Sequence, residues 1–218
     1  MILTDRQIEE AVNSGAITIE PFNTEQLQAA TYDLRVGRQG ATTSTNKLID
    51  IEKEGYLLLA PGDFAIVTVL EKIALTPQFA GRFGLRSKYA RKGLIATTGP
   101  QIDPGYEGRL ILGLNNLTPR AISIPYKDEL VSVEFHKLEE PARHPYDGPY
   151  QGKEELRPED IEMIIEAEGM ALSEVITVLN SLNKTVGDLT KDIAILKWVV
   201  PLIVGVGITV IGIIVALG

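Results

Sequence analysis

The chain has 218 residues and a formal net charge of −8, with no cysteine and only two histidines. This length fits one domain with appendages or two small domains. The acidic balance argues against binding to a nucleic-acid backbone, which requires clustered Lys and Arg. The lack of cysteine excludes disulfides, thiolate metal sites and a zinc-dependent deaminase, which needs a His/Cys/Cys or Cys₃ cluster.

The N-terminal residues predict a short helix followed by an extended segment. Thr4 and Gln7 match a capping box, and Gly15 supplies a stop before the extended residues 17–22. The opening residues lack a basic region followed by an apolar stretch, so they do not predict a signal peptide.

Residues from about 30 to 140 predict many short strands separated by turns, a pattern that favours a jelly roll or barrel over a parallel sheet. The strand-like runs are residues 56–60, 64–70, 109–115, 121–125 and 129–137. The segment 139–160 is rich in Pro, Gly, Glu and Tyr, which is typical of an arm or linker.

Beyond this segment, apolar residues recur at alternating steps of three and four. They are Leu172, Val175, Leu179, Leu182, Val186, Leu189, Ile193 and Leu196. This heptad spacing predicts a coiled coil, because a 3.5-residue repeat keeps one seam facing a partner helix. Residues 154–197 are therefore interpreted as a linker and coiled-coil stalk. A helix packed on its own domain is the alternative.

Residues 198–218 contain no charged side chain and predict a transmembrane helix. About 21 residues rising 1.5 Å each cover roughly 30 Å, the thickness of a hydrocarbon core. Trp198 would lie at the membrane interface, with Lys191 and Lys197 before it. The expected topology is a single-pass C-terminal anchor with the N-terminal domain in the cytoplasm. The alternative is a buried core helix of a soluble oligomer.

Two short segments carry side chains suited to phosphate chemistry. Residues 81–88 combine glycines, Ser87 and three cations, and an arginine offers a planar fork for phosphate oxygens. A basic surface loop would look similar. Asp103 lies in an Asp-Pro-Gly turn sequence and Tyr106 follows it, so each taken alone could be a turn former or a packed aromatic residue. Asp33 could likewise be a turn or cap residue.

Together these segments resemble the dUTPase/dCTP deaminase superfamily over about residues 1–153. The segments similar to the first three motifs of trimeric dUTPases are residues 31–34, 86–87 and 99–108. The segments more similar to dCTP deaminases are residues 1–5, 21–37, 102–105 and 144–152.

The resemblance implies a mainly β, distorted jelly-roll head (the dUTPase-like β-clip) that forms a homotrimer with active sites between subunits. It implies that Asp103 activates the water that attacks the α-phosphate of a deoxynucleoside triphosphate. Mg²⁺ is expected on the substrate phosphates, without a direct protein ligand and with Asp33 a candidate for contacting its water ligands. The substrate-binding residues implied are Arg86, Ser87, Lys88, Arg91, Tyr106, Tyr146, Tyr150 and Gln151.

Gly113 stands where the resemblance to deaminases places a glutamate that moves protons between water and the base. Glycine cannot act as an acid or base, and losing a positioned proton shuttle removes about 10²–10⁴-fold in rate. The sequence therefore predicts a dUTP diphosphatase, forming dUMP and pyrophosphate, with dCTP deamination absent or feeble. The alternatives are a weak dCTP deaminase, alone or bifunctional, and a non-catalytic, membrane-anchored, trimeric nucleotide sensor or scaffold.

Overall fold

The computed structural model describes residues 1–162, 178, 180–191, 193, 196, 197, 199, 201 and 205. The chain divides into two compact units, Met1–Ser173 and Glu174–Gly218. The predicted boundaries at residues 153 and 197 separate a nucleotide domain, a stalk and a membrane segment, and they stay predictions.

The first unit is built mainly from strands, as predicted. Its helices are α1 (Asp5–Asn13), α2 (Ile51–Glu54) and α3 (Ser87–Ala90), with a 3₁₀ turn at Thr24–Gln26. Its strands are β1 (Ile17–Glu20), β2 (Tyr32–Thr42), β3 (Ile49–Asp50), β4 (Tyr56–Leu59), β5 (Phe64–Leu75), β6 (Phe79–Leu85), β7 (Leu94–Ala96), β8 (Gln101–Ile102), β9 (Glu107–Asn116), β10 (Ile122–Pro125) and β11 (Glu129–Lys137). The predicted N-terminal helix is confirmed as α1, where the backbone N–H of Thr4 donates to Gln7 Oε1 at 3.0 Å.

Within the described residues, nine strands form one curled antiparallel sheet. The central order is β7-β9-β5-β2-β11-β6-β8, with β1 added to β5 and β3 added to β2. Strands β4 and β10 pair separately as a two-stranded ribbon. Strands β5 and β9 pair from Phe64 with Asn115 to Ala74 with Glu107, with one irregularity between Thr68 and Lys72. This pairing places β9 between β5 and β7, one strand in from the end of that order.

The core is filled by side chains that alternate along the strands. In β11, Val131, Val133 and Phe135 are fully buried, whereas Ser132 and Glu134 are only partly buried. This two-residue period places one face of the strand against the core. Each fully buried side chain of this size contributes about 1.5–3 kcal/mol relative to an exposed one. The alternation therefore fixes which face of the curled sheet is internal.

Helix α3 is fastened to the turn before β11 by an ion pair and a hydroxyl. Lys88 Nζ donates to Asp128 Oδ1 at 2.7 Å and to Glu129 Oε2 at 3.1 Å, and the buried Tyr89 hydroxyl donates to Asp128. Burial opposes ionisation of Asp128, but the hydrogen bonds from Lys88 and Tyr89 outweigh it and lower the pKa of this carboxyl. Asp128 therefore stabilises the fold in its charged form.

The second unit is helical through residues 180–191 and at the other residues described there. Leu182, Val186, Leu189, Ile193 and Leu196 of the predicted heptad are each 53–56% exposed. The heptad positions 172, 175 and 179 lie outside the described residues, as does most of the predicted membrane segment 198–218. Among the residues described, no helix is long and apolar enough to cross a membrane. The coiled coil and the anchor stay predictions.

The Lys88–Asp128 pair predicts how stability depends on pH. Because the pKa of Asp128 is lowered on folding, its contribution is present above its unfolded pKa of about 3.9 and is lost as the pH falls through the folded value. In Lys88→Met, the pKa of Asp128 is lowered by a smaller amount, because the hydrogen bond from Lys88 is lost. The difference in unfolding free energy between wild type and Lys88→Met should therefore be larger at neutral pH than below about pH 4.

Urea unfolding followed by far-ultraviolet circular dichroism across this pH range measures the difference. Lys47→Met is the matched control, since Lys47 is exposed and pairs with no carboxylate among the described residues. If the unfolding free energy of Lys88→Met falls below that of wild type by the same amount at neutral and acid pH, the role of the charged Asp128 is contradicted.

Candidate functional site

A cavity of ≈ 390 Å³ lies against β9, the loop between β7 and β8, and the turn between β8 and β9. The arm after β11 also contributes to its wall. The polar and aromatic residues that line it are Phe64, Phe83, Thr97, Thr98, Gln101, Asp103, Tyr106, Arg109, Tyr146, Tyr150 and Asp160, and Gly113 lines it as well. An apolar lining with a few converging polar groups is typical of small-molecule sites.

Gly113 lets the β7–β8 loop approach β9 closely. Its N–H donates to Thr98 Oγ1 at 2.6 Å, and its carbonyl accepts from the N–H of Thr97 at 2.9 Å. A Cβ at residue 113 would lie 2.5 Å from Thr97 Oγ1 and 3.2 Å from the Phe64 ring. A larger residue here would displace the Thr97 side chain, so two threonine hydroxyls occupy this wall in place of a side chain on β9.

The turn between β8 and β9 presents Asp103 at the cavity. The carbonyl of Asp103 accepts from the N–H of Tyr106 at 3.1 Å, and Gly105 adopts a φ of +85°, which favours glycine. The Asp103 side chain is exposed. In the described part of the chain, no hydrogen bond or ion pair reaches its carboxylate. Asp103 can therefore accept a proton or a hydrogen bond from a ligand.

Tyr106 is a buried wall of the cavity. Its hydroxyl donates to the carbonyl of Arg109 at 3.0 Å, and its ring meets the ring of Tyr146 edge-on with centroids 5.7 Å apart. Burial raises the pKa of Tyr106 well above its usual value. The hydroxyl therefore stays protonated at neutral pH and acts as a structural donor, while the ring offers a flat surface.

The arm formed by residues 139–153 folds back over the turn. The N–H of Tyr146 donates to the carbonyl of Pro104 at 2.8 Å. Gln151 Nε2 donates to the carbonyl of Gly105 at 2.9 Å, and Gln151 Oε1 accepts from the N–H of Glu107 at 3.0 Å. Gln151, a predicted substrate-binding residue, therefore binds the backbone of the turn here. Tyr146 and Tyr150 line the cavity, and their binding of substrate stays a prediction.

The predicted phosphate-binding residues lie elsewhere in the single chain. Arg86, Ser87, Lys88 and Arg91 belong to or flank α3 and do not line the cavity. Arg86 Nη1 contacts Asp33 Oδ2 at 2.5 Å, and Lys88 is held by acidic residues before and within β11. Ser87 and Arg91 are exposed. The structure thus brings Asp103 together with the tyrosines but does not bring the basic residues to them.

Asp33 is not available to contact a metal ion's water ligands, contrary to the expectation from sequence. It is fully buried, and its oxygens are taken by Arg86 and by the Ser132 hydroxyl, which donates at 2.5 Å. In the part of the chain that is described, His, Asp and Glu side chains do not gather in groups of three that could hold a metal ion. Within this chain, Asp33 therefore has no free carboxylate oxygen to offer to the water ligands of a Mg²⁺ ion.

Several cavity residues were not named individually as site residues from the sequence. Thr97 and Thr98 directly precede the motif that begins at Gly99, so their position was a usable signal. Arg109 lies just beyond the same motif. Asp160 lies in the segment interpreted as a linker, and nothing in its local sequence indicates that it reaches the cavity.

The comparisons with known proteins agree on one family. A family model described as dCTP deaminase-like matches residues 2–138. The dCTP deaminase of Thermococcus sibiricus is 39% identical over 157 residues, which cover 72% of this chain and 96% of that protein. The "dCTP deaminase, dUMP-forming" of Aquifex aeolicus is 31% identical over 173 residues, which cover 75% of this chain and 96% of that protein.

A solved structure confirms the fold. The crystal structure of 2′-deoxycytidine 5′-triphosphate deaminase from Agrobacterium tumefaciens matches with a TM-score of 0.52 and 21% identity. The match covers 62% of this chain and 47% of that one, so this chain spans about half of that protein. At this identity the likeness shows the fold alone.

The prediction of a dUTP diphosphatase is wrong as the main interpretation. Relatives that this chain matches over almost their whole length are named dCTP deaminase. The motifs around Asp103 and Tyr106 resemble both branches of the superfamily, so they could not separate the two activities. The identity to dCTP deaminases over 157 and 173 residues favours the deaminase branch. From the family match over residues 2–138 and the identity to these relatives, the chain belongs to the dCTP deaminase-like family.

Proposed function

We propose that the cavity beside Asp103 binds dCTP and that the chain acts in its hydrolytic deamination, dCTP + H₂O → dUTP + NH₃. The observation that carries this proposal is the 39% identity to the Thermococcus sibiricus dCTP deaminase, which the match covers over 96% of its length. A dUMP-forming relative matches as well. Hydrolysis of the deaminated product to dUMP is therefore an outcome that the assay must distinguish.

The cavity suits a pyrimidine deoxynucleotide. Tyr106, Tyr146 and Tyr150 offer aromatic surface for a sugar or base, and the hydroxyls of Thr97 and Thr98 offer donors and acceptors for a base edge. The carboxylate that can take a proton from water is Asp103. Asp160 also lines the cavity, but its oxygens already bind Lys153 and the N–H of Arg157.

Gly113 favours a second candidate, dCTP binding without turnover. Deamination requires a group that removes a proton from water and returns protons to the base and its amino group. Residue 113 supplies no such group, and its N–H is engaged by Thr98. A site that binds dCTP and does not release ammonia would make the chain a nucleotide sensor or scaffold.

The phosphate end of the site calls for a second subunit. Arg86, Ser87, Lys88 and Arg91 do not line the cavity of their own chain, and a neighbouring copy can bring its own residues to it. We include a homotrimer in the proposal on this ground. Mg²⁺ enters only as the ion that accompanies the substrate's triphosphate.

We include membrane attachment through residues 198–218, with the first unit in the cytoplasm, in the proposal. The lack of charged side chains in these residues supports the attachment. The full chain should float with phospholipid vesicles and resist alkaline extraction, and a chain ending at residue 197 should do neither. Release of the full chain at high pH would contradict the attachment.

The activity is tested by incubating the full chain with dCTP and following ammonia, dUTP and dUMP. We expect ammonia release about 10²–10⁴-fold slower than that of the Thermococcus sibiricus enzyme, since Gly113 supplies no proton shuttle. Asp103→Asn should lower the rate further. Glu107→Gln is the matched control, because Glu107 begins β9 directly after that turn but pairs with Lys72 outside the cavity. Saturable dCTP binding without ammonia would support the second candidate, and failure to bind dCTP would contradict both.

The role of Gly113 is tested in the same assay by restoring a carboxylate. Because a Cβ at residue 113 would meet Thr97 Oγ1, the change is paired as Thr97→Ala/Gly113→Glu. Ammonia release by the pair should exceed that of wild type by at least about 10²-fold. Thr97→Ala alone is the control and should not gain activity. Equal rates for the pair and the control would mean that the missing carboxylate does not limit the reaction.

Association through the second unit is supported by its exposed apolar stripe, Leu182, Val186, Leu189, Ile193 and Leu196. A peptide of residues 172–197 should be helical and associate, because an isolated helix of this length is marginal in water without a partner. Leu189→Asp should abolish both properties. Thr190→Asp, on the adjacent exposed position, should keep them. A peptide that remains monomeric by analytical ultracentrifugation would contradict the coiled coil.

A further inference from the structure

A buried ion pair joins the arm to the segment that follows it. Lys153 Nζ donates to Asp160 Oδ1 at 2.6 Å, with the two side chains only 8% and 10% exposed. The other oxygen of Asp160 accepts from the N–H of Arg157 at 2.7 Å. A buried ion pair is weak evidence for stability, because well-packed apolar residues often serve equally well. A role in holding the arm in position therefore explains this pair better than a gain in stability does.

Lys153 is the residue at which the arm meets β9 beside the cavity. Its carbonyl accepts from the N–H of Arg109 at 2.8 Å, and its N–H donates to the carbonyl of Tyr150 at 3.2 Å. Its Nζ lies 5.1 Å from the centroid of the Tyr150 ring. Gly108 permits this contact, since a Cβ there would lie 2.7 Å from the carbonyl oxygen of Lys153. The position of Lys153 thus sets the position of Tyr150 at the cavity rim.

The segment after Lys153 is packed onto the sheet rather than free. The N–H of Leu156 donates to Gln39 Oε1 at 2.8 Å, and the buried Leu156 side chain joins Ala41 and Ile66 in a small apolar cluster. The partly buried residues packed against this cluster are Phe64, Ile111 and Ile161. Phe64, Ile66 and Ile111 also line the cavity. The docked segment and the cavity therefore share one wall.

We propose that Asp160 is a positioning residue for the nucleotide cavity, holding Lys153 and hence the arm with Tyr146 and Tyr150 against the cavity rim. The inference rests on the proposed function in taking dCTP as the occupant. Asp160 acts through Lys153, because both of its oxygens are engaged within the chain. By linkage, the occupant of the cavity and the docked segment stabilise each other reciprocally.

The first test is calorimetric titration of the full chain with dCTP, at a temperature where each variant is folded by circular dichroism. Asp160→Asn should weaken dCTP binding about 10-fold, and Asp160→Glu should restore part of the loss. Glu154→Gln is the matched control. Glu154 is in the same segment but pairs with Lys72 and does not line the cavity, so its Kd should match that of wild type.

A double variant separates positioning from stability. Lys153→Met/Asp160→Leu removes both charges and keeps apolar groups in the buried site, so it should stay folded even if Asp160→Asn does not. Positioning by the ion pair predicts that the double variant still binds dCTP about 10-fold more weakly than wild type. Wild-type affinity in the double variant would overturn the proposal.

Amide hydrogen exchange gives a readout that does not depend on dCTP. Without nucleotide, the N–H groups of Tyr146, Gly152 and Arg109 should exchange faster in the double variant than in Glu154→Gln, because each closes a hydrogen bond between the arm and β9 or its turn. Unchanged exchange at these amides would overturn the inference. If wild type fails to bind dCTP while these amides still respond, the proposed function fails and the positioning role of Asp160 stands.

In wild type, dCTP should in turn slow exchange at the N–H groups of Arg157 and Asp160. Protection confined to the cavity residues, with none at these two amides, would contradict the reciprocal coupling.

Discussion

The close approach of the β7–β8 loop to β9 at Gly113 is the constraint on which the candidate site depends. Thr97 and Thr98 each form a backbone-anchored hydrogen bond with Gly113, and the space that a side chain would fill is taken by the Thr97 hydroxyl. This approach shapes one wall of the cavity. It also decides the chemistry of that wall, which presents hydroxyl groups instead of an acid.

Another wall of the cavity depends on a second set of contacts. The turn that carries Asp103 is bound by the arm through Tyr146 and Gln151, and the arm is bound in turn through the buried Lys153–Asp160 pair. A ligand in the cavity would therefore touch side chains from the sheet, the turn and the arm at once. Residues 154–161, interpreted from sequence as the start of a linker, contribute to holding this wall in place.

Much of the fold was predictable because it rests on local patterns. The capping box at Thr4 leads directly to α1, and the strand-like run at residues 129–137 leads to β11. The pairing order of the strands was not predictable, because sheet neighbours such as β5 and β9 are distant in sequence. The grouping of Asp103 with Tyr106 and Tyr146 followed from motif resemblance. The separation of Arg86 from them depends on tertiary placement that no motif encodes.

The prediction of the activity from sequence was limited in a similar way. Motifs shared by two branches of a superfamily indicate a nucleotide site, but they do not say which bond is broken. The glycine at 113 was a correct local observation, and weighting it above the rest of the chain produced the wrong main interpretation. Asp160 was missed because its role depends on Lys153, and only the folded structure shows that Lys153 contacts β9.

The central claim is that this cavity is built for a deoxycytidine nucleotide. Titrating the full chain with dCTP and, separately, with dATP tests it most directly. We expect saturable heat with dCTP, no binding of dATP, and loss of the dCTP signal when Tyr146 is changed to alanine. Equal binding of both nucleotides, or dCTP binding that survives the loss of Tyr146, would contradict it.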